Sequence, residues 1–377
     1  MRSRSPDLTS DAIRISRILG ILGIIYVHAW TGRTWEELNA LAGTPQLAFR
    51  WVLIDLLGRS AVPLLSIVSG WLVAPSVKRR SYGAFVRDKA ATLLAPMLAW
   101  NAIAMTLVCG AAQMGWLHAP KAVSLGWTVN ELFCLTGPND VNVQIAFLRD
   151  VFVIMLAAPL LVRLPSWALG LLAASAAVWC VGGWSLVVLL RPQILAFFVL
   201  GVLARRYDGA TAVGRWPASV AAAPFCIIAP SAVALSIWGQ AWSDAHPAIM
   251  AVLDLGLRMA AAILFWRLAT ALAPRPAGRA LSALAPLAFL MFCAHMTMIW
   301  FGGPWLGQFT GPLGAPAYPM LLLVQPLLVL AATALLRETL LALSPRLTAF
   351  LSGGQARVIP PSRMGEAVPR LRLGTKI

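Results

Sequence analysis

Charge is what this sequence has least of. Only 12% of its 377 residues are Asp, Glu, Lys or Arg, against roughly 25% in ordinary soluble chains, while 59% are hydrophobic. That balance excludes a water-soluble domain with a polar surface, and a mean hydropathy of +0.78 asks for lipid as the solvent. Acids are scarcer still, 14 Asp and Glu against 30 Lys and Arg, for a formal net charge of +16. Such an excess would suit a nucleic-acid binder. The basic residues, however, stand in short segments beside apolar runs, at Lys78-Arg79-Arg80, at Arg205-Arg206 and from Arg357 to Lys376, where the positive-inside rule puts them. Membrane lipid is therefore an expected partner and nucleic acid is not.

The five cysteines, Cys109, Cys134, Cys180, Cys226 and Cys293, show no C-x-x-C spacing. This argues against a zinc site or a disulfide framework, and no metal is expected. No small-residue cleavage site follows the opening MRSRSPDLTSDAIRISR, so that stretch reads as the entry to a retained first helix and not as a removable signal. The absence of an internal repeat disfavours a transporter built from repeated halves.

What is present is a series of apolar runs of membrane-spanning length. They predict an all-α, polytopic membrane helix bundle of about ten helices, near 13–30, 51–74, 90–112, 145–163, 167–184, 186–204, 218–239, 248–273, 284–303 and 318–337. Around this transmembrane domain (13–340) stand an N-terminal arm (1–12) and a basic tail (341–377) expected to be disordered. The fifth and sixth runs meet at Gly182-Gly183-Trp184 with almost no loop. With a cytoplasmic N-terminus every segment on that side is basic, and both termini fall there. The opposite loops hold chiefly Arg33, Lys121 and Arg191 with several tryptophans. The longest of them, 113–143, is the candidate lid or substrate-gripping segment.

Ionisable residues inside the apolar runs are functional candidates because burying them costs free energy. Arg17 and His28 are eleven steps apart, which returns to nearly the same helical face about 16 Å further along. Arg17 suits an anion, and a neutral His28 can take a proton from a hydroxyl. The bland alternative has Arg17 snorkelling to headgroups and His28 bonding a nearby carbonyl. Asp55 with Arg59, and Asp254 with Arg258, are i,i+4 pairs suited to fixing helix packing or to lining a polar cavity. Arg149 and Asp150 point about 100° apart on a helix and are expected to pair with other helices, not with each other. His295, among methionines in LMFCAHMTMIW, fits packing at least as well as chemistry. His118 and His246 are expected in outer loops.

RISRILGILGIIYVHAW resembles the opening helix of the acyltransferase-3 family of bacterial membrane-bound O-acyltransferases, whose Arg-x10-His signature Arg17 and His28 match. AVPLLSIVSGWLVAP (Ala61 to Pro75, with Ser69), FVRDKAATLLAPMLAWN, IAFLRDVFVIMLAAPLL and LAFLMFCAHMTMIW resemble further family segments in the same order. The likeness runs roughly from Ile13 to Leu336. Three positions depart from it: Arg14 where an acid is common, Thr92 in place of a second basic residue, and Ala146 in place of Trp.

The resemblance implies transfer of an acyl group, commonly acetyl, from cytoplasmic acyl-CoA as co-substrate to a hydroxyl of a polymeric or lipid-linked envelope glycan. A bacterial inner membrane is the implied setting, and no resident cofactor is implied. In this reading His28 is base or acyl relay and Arg17 holds the donor. Arg87 and Lys89 add phosphate contacts, and Ser69, Arg149, Asp150 and His295 are further substrate-binding candidates. No stretch is left over for an outer catalytic domain, so the acceptor is expected to meet the membrane core or an unlinked partner. The rival from another class is a secondary transporter or flippase with the intramembrane Asp/Arg pairs as its pathway.

Overall fold

The computed structural model of the chain describes residues 8–354, apart from Ser60, Ser185 and the side chains of Trp35 and Gln240. It is an all-α polytopic bundle, and seven helical segments are long and apolar enough to cross a membrane. In chain order, with three further helices, the long segments are α1 (Leu8–His28), α2 (Pro45–Lys78), α3 (Tyr82–Gln113), α4 (Val143–Leu161), α5 (Ser166–Val181), α6 (Pro192–Arg206), α7 (Ala218–Trp238), α8 (Pro247–Leu272), α9 (Pro276–Thr310) and α10 (Tyr318–Leu343). The three outside the set of seven are α1, α5 and α6. Asp11, Arg14 and Arg17 interrupt the apolar run of α1. The helices α5 and α6 have 16 and 15 residues, about 24 and 22 Å, short of a hydrocarbon core about 30 Å thick.

Burial separates the middle of the bundle from its rim. The apolar window of α9 is 61% buried and that of α4 56%, whereas α7 and α8 bury only 22% and turn the rest outward, as lipid-facing helices do. Helix α1 packs against α2, α8, α9 and α10, and Ile15, Ile18, Ile21, Ile24 and Ile25 are buried in the interior. Glycines allow the closest approaches. A Cβ on Gly23 would collide with the Leu57 carbonyl, and one on Gly58 with Val27, so α1 and α2 meet there backbone to backbone. Further along α2, a Cβ on Gly70 would strike the Phe198 carbonyl and one on Gly201 of α6 the Ile67 carbonyl. Small residues of this kind let membrane helices touch along their main chains.

The two acid–base pairs form one network across two helices. Arg59 Nε is 2.9 Å from Asp55 Oδ1, Arg258 Nε is 2.6 Å from Asp254 Oδ2, and Arg59 Nη1 reaches Asp254 Oδ1 at 3.1 Å. The i,i+4 spacing supplies the pairs, and the crossing bond ties α2 to α8.

Three boundaries differ from the hydropathy reading. The first helix starts at Leu8, within the expected arm, because Asp11 pairs with Arg14 at 3.4 Å and accepts a bond from Ser282. The sixth helix starts only at Pro192, so α5 and α6 are joined by a real connector, residues 182–191, and not by a tight junction. Its apolar LVVLL is helix-like in composition, but its backbone groups are held elsewhere, as described below. The tail boundary also moves, since α10 runs to Leu343 and a short helix, Pro345–Leu351, folds back under it. Trp100 Nε1 donates to the Leu351 carbonyl there. Residues 355–377, the remainder of the expected tail, lie outside the described residues, as do residues 1–7 of the arm.

Two substitutions test this packing. Gly70→Leu should separate α2 from α6 and lower the melting temperature of the detergent-solubilised protein, at the overpacking cost of about 1–3 kcal/mol or more. Arg59→Leu leaves buried Asp55 without its partner and should cost about 3–5 kcal/mol, a loss that Asp55→Asn in the same chain should partly restore on the same melting curve.

Candidate active site

A cavity of about 260 Å³ opens where α1, α2, α3, α4 and α9 meet. Arg17 lines it from α1, Ser69 and Ser76 from α2, Asp88, Lys89 and Thr92 from α3, and Gly353 from the segment after Leu351. The helix geometry of α3 helps to shape it. Pro96 has no N–H to offer the Thr92 carbonyl, and at Ala90–Leu94 the helix relaxes to a π turn in which the Ala95 N–H reaches back to Ala90. Thr92 and Leu93 within that turn face the cavity. Gly353 adopts a positive φ of 62° and closes against the Thr92 carbonyl, so the end of the described chain forms part of the wall.

The charge of this cavity is unequal. Lys89 Nζ stands 3.7 Å from Asp88, which Arg80 also grips. Arg17 is half-buried and has neither a carboxylate nor a hydrogen-bond partner among the described residues. A sequestered guanidinium without a counter-ion is a site for a visiting anion. Arg87, by contrast, is exposed and does not line the cavity.

A second cavity of about 150 Å³ shares Arg17, Ser69, Leu93, Val151 and Phe289 with the first and runs deeper, past Ile21, Leu65 and Leu148 to Phe147 and Phe292. Those two phenyl rings meet edge to face with centroids 5.7 Å apart, and Phe292 in turn lies 6.2 Å from the His295 ring. Beyond them the two histidines come together, the His28 and His295 ring centroids being 5.4 Å apart. His295 is fully buried. Its Nδ1 lies 3.1 Å from the Met291 carbonyl, which can only accept, so the proton sits on Nδ1 and Nε2 keeps its lone pair. That Nε2 has no hydrogen-bond partner among the described residues. His295 is therefore the neighbour of His28, and the pair lies beyond Phe292 of the inner cavity; neither histidine lines the two cavities that share Arg17.

Arg149 and Asp150 do something different. Contrary to the expectation that adjacent residues would avoid each other, Arg149 Nη1 bonds Asp150 Oδ1 at 2.8 Å, because the long guanidinium can fold back while both side chains turn toward residues 187–191. Asp150, fully buried, accepts from the backbone N–H groups of Leu190 and Arg191, and Arg149 donates to the carbonyls of Val187 and Val188. Together they hold the α5–α6 connector in its non-helical form.

The long loop 113–143 is anchored by polar groups that hydropathy passes over. Glu131 accepts from the Asp140 and Val141 N–H groups, and burial pushes its carboxyl up while those bonds pull it down. Cys134, pushed up to about 11 by burial, stays a thiol and donates to Asn139. From here Asn101, Asn142 and Gln144 run in a chain of hydrogen bonds to the carbonyls of Phe292 and Cys293, in the turn before His295. Arg191 reaches the Val143 carbonyl at 2.9 Å. Buried amides beside apolar runs are the signal by which these residues could have been singled out.

The comparisons with known proteins agree with this geometry. The acyltransferase domain model of the acyltransferase-3 family matches residues 10–336. The succinoglycan biosynthesis protein ExoH of Rhizobium meliloti (strain 1021) is 27% identical over 361 residues, covering 92% of each chain. No solved structure matches. With the family model spanning nearly every long helix, the chain belongs to the acyltransferase-3 family of membrane acyltransferases.

Proposed function

We propose that the protein moves an acyl group, acetyl in the first instance, from cytoplasmic acyl-CoA to a hydroxyl of an envelope polysaccharide or its lipid-linked precursor, in a bacterial inner membrane. The observation that carries this is the pair of cavities sharing Arg17, which has no partner among the described residues, with two adjacent histidines beyond Phe292 of the inner one. The phosphates of coenzyme A suit Arg17 and Lys89, and the pantetheine arm is a slender chain that suits the narrow inner cavity. The basic segments support a cytoplasmic mouth, the side on which acyl-CoA is found. The glycan acceptor follows the relative's part in succinoglycan biosynthesis.

The chemistry balances without a further group. The acceptor hydroxyl gives its proton to His28 as its oxygen attacks the thioester carbonyl, and the carbon–sulfur bond breaks. The departing thiolate takes the proton back as free coenzyme A. His295 offers a lone pair at Nε2 that can receive an N–H of the His28 ring and steady the imidazolium. Ser69 and Arg17 line both cavities, and Phe147 with Phe292 closes the inner one on the side of the histidines, so the acyl arm reaches them once these rings move apart. Arg149 and Asp150 act through the α5–α6 connector.

In nanodiscs, His28→Ala should reduce acyl transfer by about 10²–10⁴-fold, the usual worth of a general base, with melting temperature retained; full activity in that variant would sink the mechanism. Arg17→Gln should raise the KM for acyl-CoA by about 10- to 100-fold, the loss of one or two charge-assisted bonds, with a smaller change in kcat. Arg87→Gln, altered at an exposed position, should change that KM less. An equal effect of the two would move the donor site away from the Arg17 cavity.

A further inference from the structure

The other end of α1 opens on a wider cavity, about 470 Å³, lined by Gly32, Arg33, Thr34, His118, Lys121 and Trp300 among others. We infer that this vestibule is the acceptor site and that it selects an acidic glycan, one bearing a carboxylate or phosphate close to the sugar that is acylated. The inference rests on the acyl-transfer reading above and adds the charge class of the acceptor.

Position is the first argument. Trp300 follows His295 by five residues on α9, about 7.5 Å of helix rise, and Gly32 and Arg33 follow His28 by four and five in the turn that ends α1. Thr31, between them, bonds both the His28 carbonyl and the Met296 sulfur. The vestibule floor thus lies one to two helical turns from the histidine pair, on the side away from Arg17. Its volume falls in the range of about 300–1,000 Å³ typical of small-ligand sites.

Charge is the second. Positive-inside topology explains the basic residues of the Arg17 end, and it gives no reason for a basic residue at this one. Three stand out as exceptions in the sequence, Arg33, Lys121 and Arg191. Two of the three line this single cavity, with His118 beside them. Arg33 is partly neutralised by Glu37 at 3.3 Å and lies over the Tyr318 ring, centroid 5.5 Å away. Lys121 is exposed and has no carboxylate partner among the described residues. The third argument is the wall. Trp300 is pinned by its Nε1–H on the Val141 carbonyl. Gly32, at φ +82°, carries no side chain, and the Cβ it lacks would stand 3.2 Å from the indole. A fixed indole with a glycine at its edge, flanked by cations, suits a pyranose with a negative group.

The test reads binding without donor, with the full chain in phosphatidylcholine nanodiscs. One pair of probes is trigalacturonate and its carboxyl-reduced counterpart; the other is a farnesyl-diphosphate-linked N-acetylglucosamine and its uncharged farnesyl glycoside. At least one charged probe should bind about tenfold more tightly than its neutral partner, with affinity falling as salt rises. The pair that discriminates tells whether the charge sits on the sugar or on the lipid linkage. Arg33→Gln combined with Lys121→Gln should erase the discrimination, and Lys121→Gln alone, on an exposed side chain, carries the test should the double variant not fold. Equal binding of charged and neutral probes, or discrimination that survives these substitutions, overturns the inference while leaving acyl-CoA consumption to be judged separately.

Discussion

The contact on which the site depends is the main-chain crossing of α2 with its two neighbours. Gly23 and Gly58 bring α2 against α1, and Gly70 and Gly201 bring it against α6. In a lipid solvent there is no hydrophobic force to press helices together, so close approach of the backbones is itself the source of packing energy. Ser69 immediately precedes Gly70. With α2 locked on both sides, Ser69 is held with its hydroxyl on the Leu65 carbonyl and lines both cavities together with Arg17. The Asp55–Arg59–Asp254–Arg258 network adds a second tie, from the start of α2 to α8. It brings no partner near Arg17, which leaves that guanidinium available to an anion.

Much of the bundle was legible because hydropathy and helix length report the solvent directly. The long helices fall on the apolar runs, and Arg17 and His28 both lie on α1, Arg17 on the two cavities and His28 beside His295. What was not legible depends on partners distant in the chain. LVVLL reads as the start of a helix by composition; it is a connector because Arg149 and Asp150, some forty residues earlier, take its backbone groups. His295 read as packing from its own neighbours and as a substrate-binding candidate only through the family resemblance; the meeting of α1 and α9 is what sets its ring beside His28. The amides Asn101, Asn142 and Gln144 carried a weak signal, polar groups too buried to be left unbonded, but their connection to the turn before His295 is a tertiary fact.

The same hydrogen-bonded chain explains how a long loop can influence a deep site. Residues 125–133 form a helix capped by Ser124, and Glu131 and Asn139 close the loop on itself. Gln144 then passes this order to the carbonyls just before His295. Trp300, one turn beyond, is fixed by Val141 of the same loop. A loop tied at both places can hold the vestibule wall and the histidine in a constant relation, which is what a reaction between two separately bound substrates needs.

That relation also bears on how two anionic partners could share one protein. If donor and acceptor both carry negative charge, a single mouth would set them against each other, and in a low-dielectric interior that repulsion is barely screened. In the proposed arrangement Arg17, midway along α1, and Arg33, beyond its C-terminal end, divide the two anions between separate openings. Only the uncharged parts, a thioester and a hydroxyl, then need to reach the middle. The residues there match that requirement: phenyl rings and two imidazoles, with no carboxylate or guanidinium in the ring contacts between them. In the proposed division the proton passes between hydroxyl, imidazole and sulfur within this ring cluster, under the field of the Arg191 guanidinium, while the charged openings do the binding.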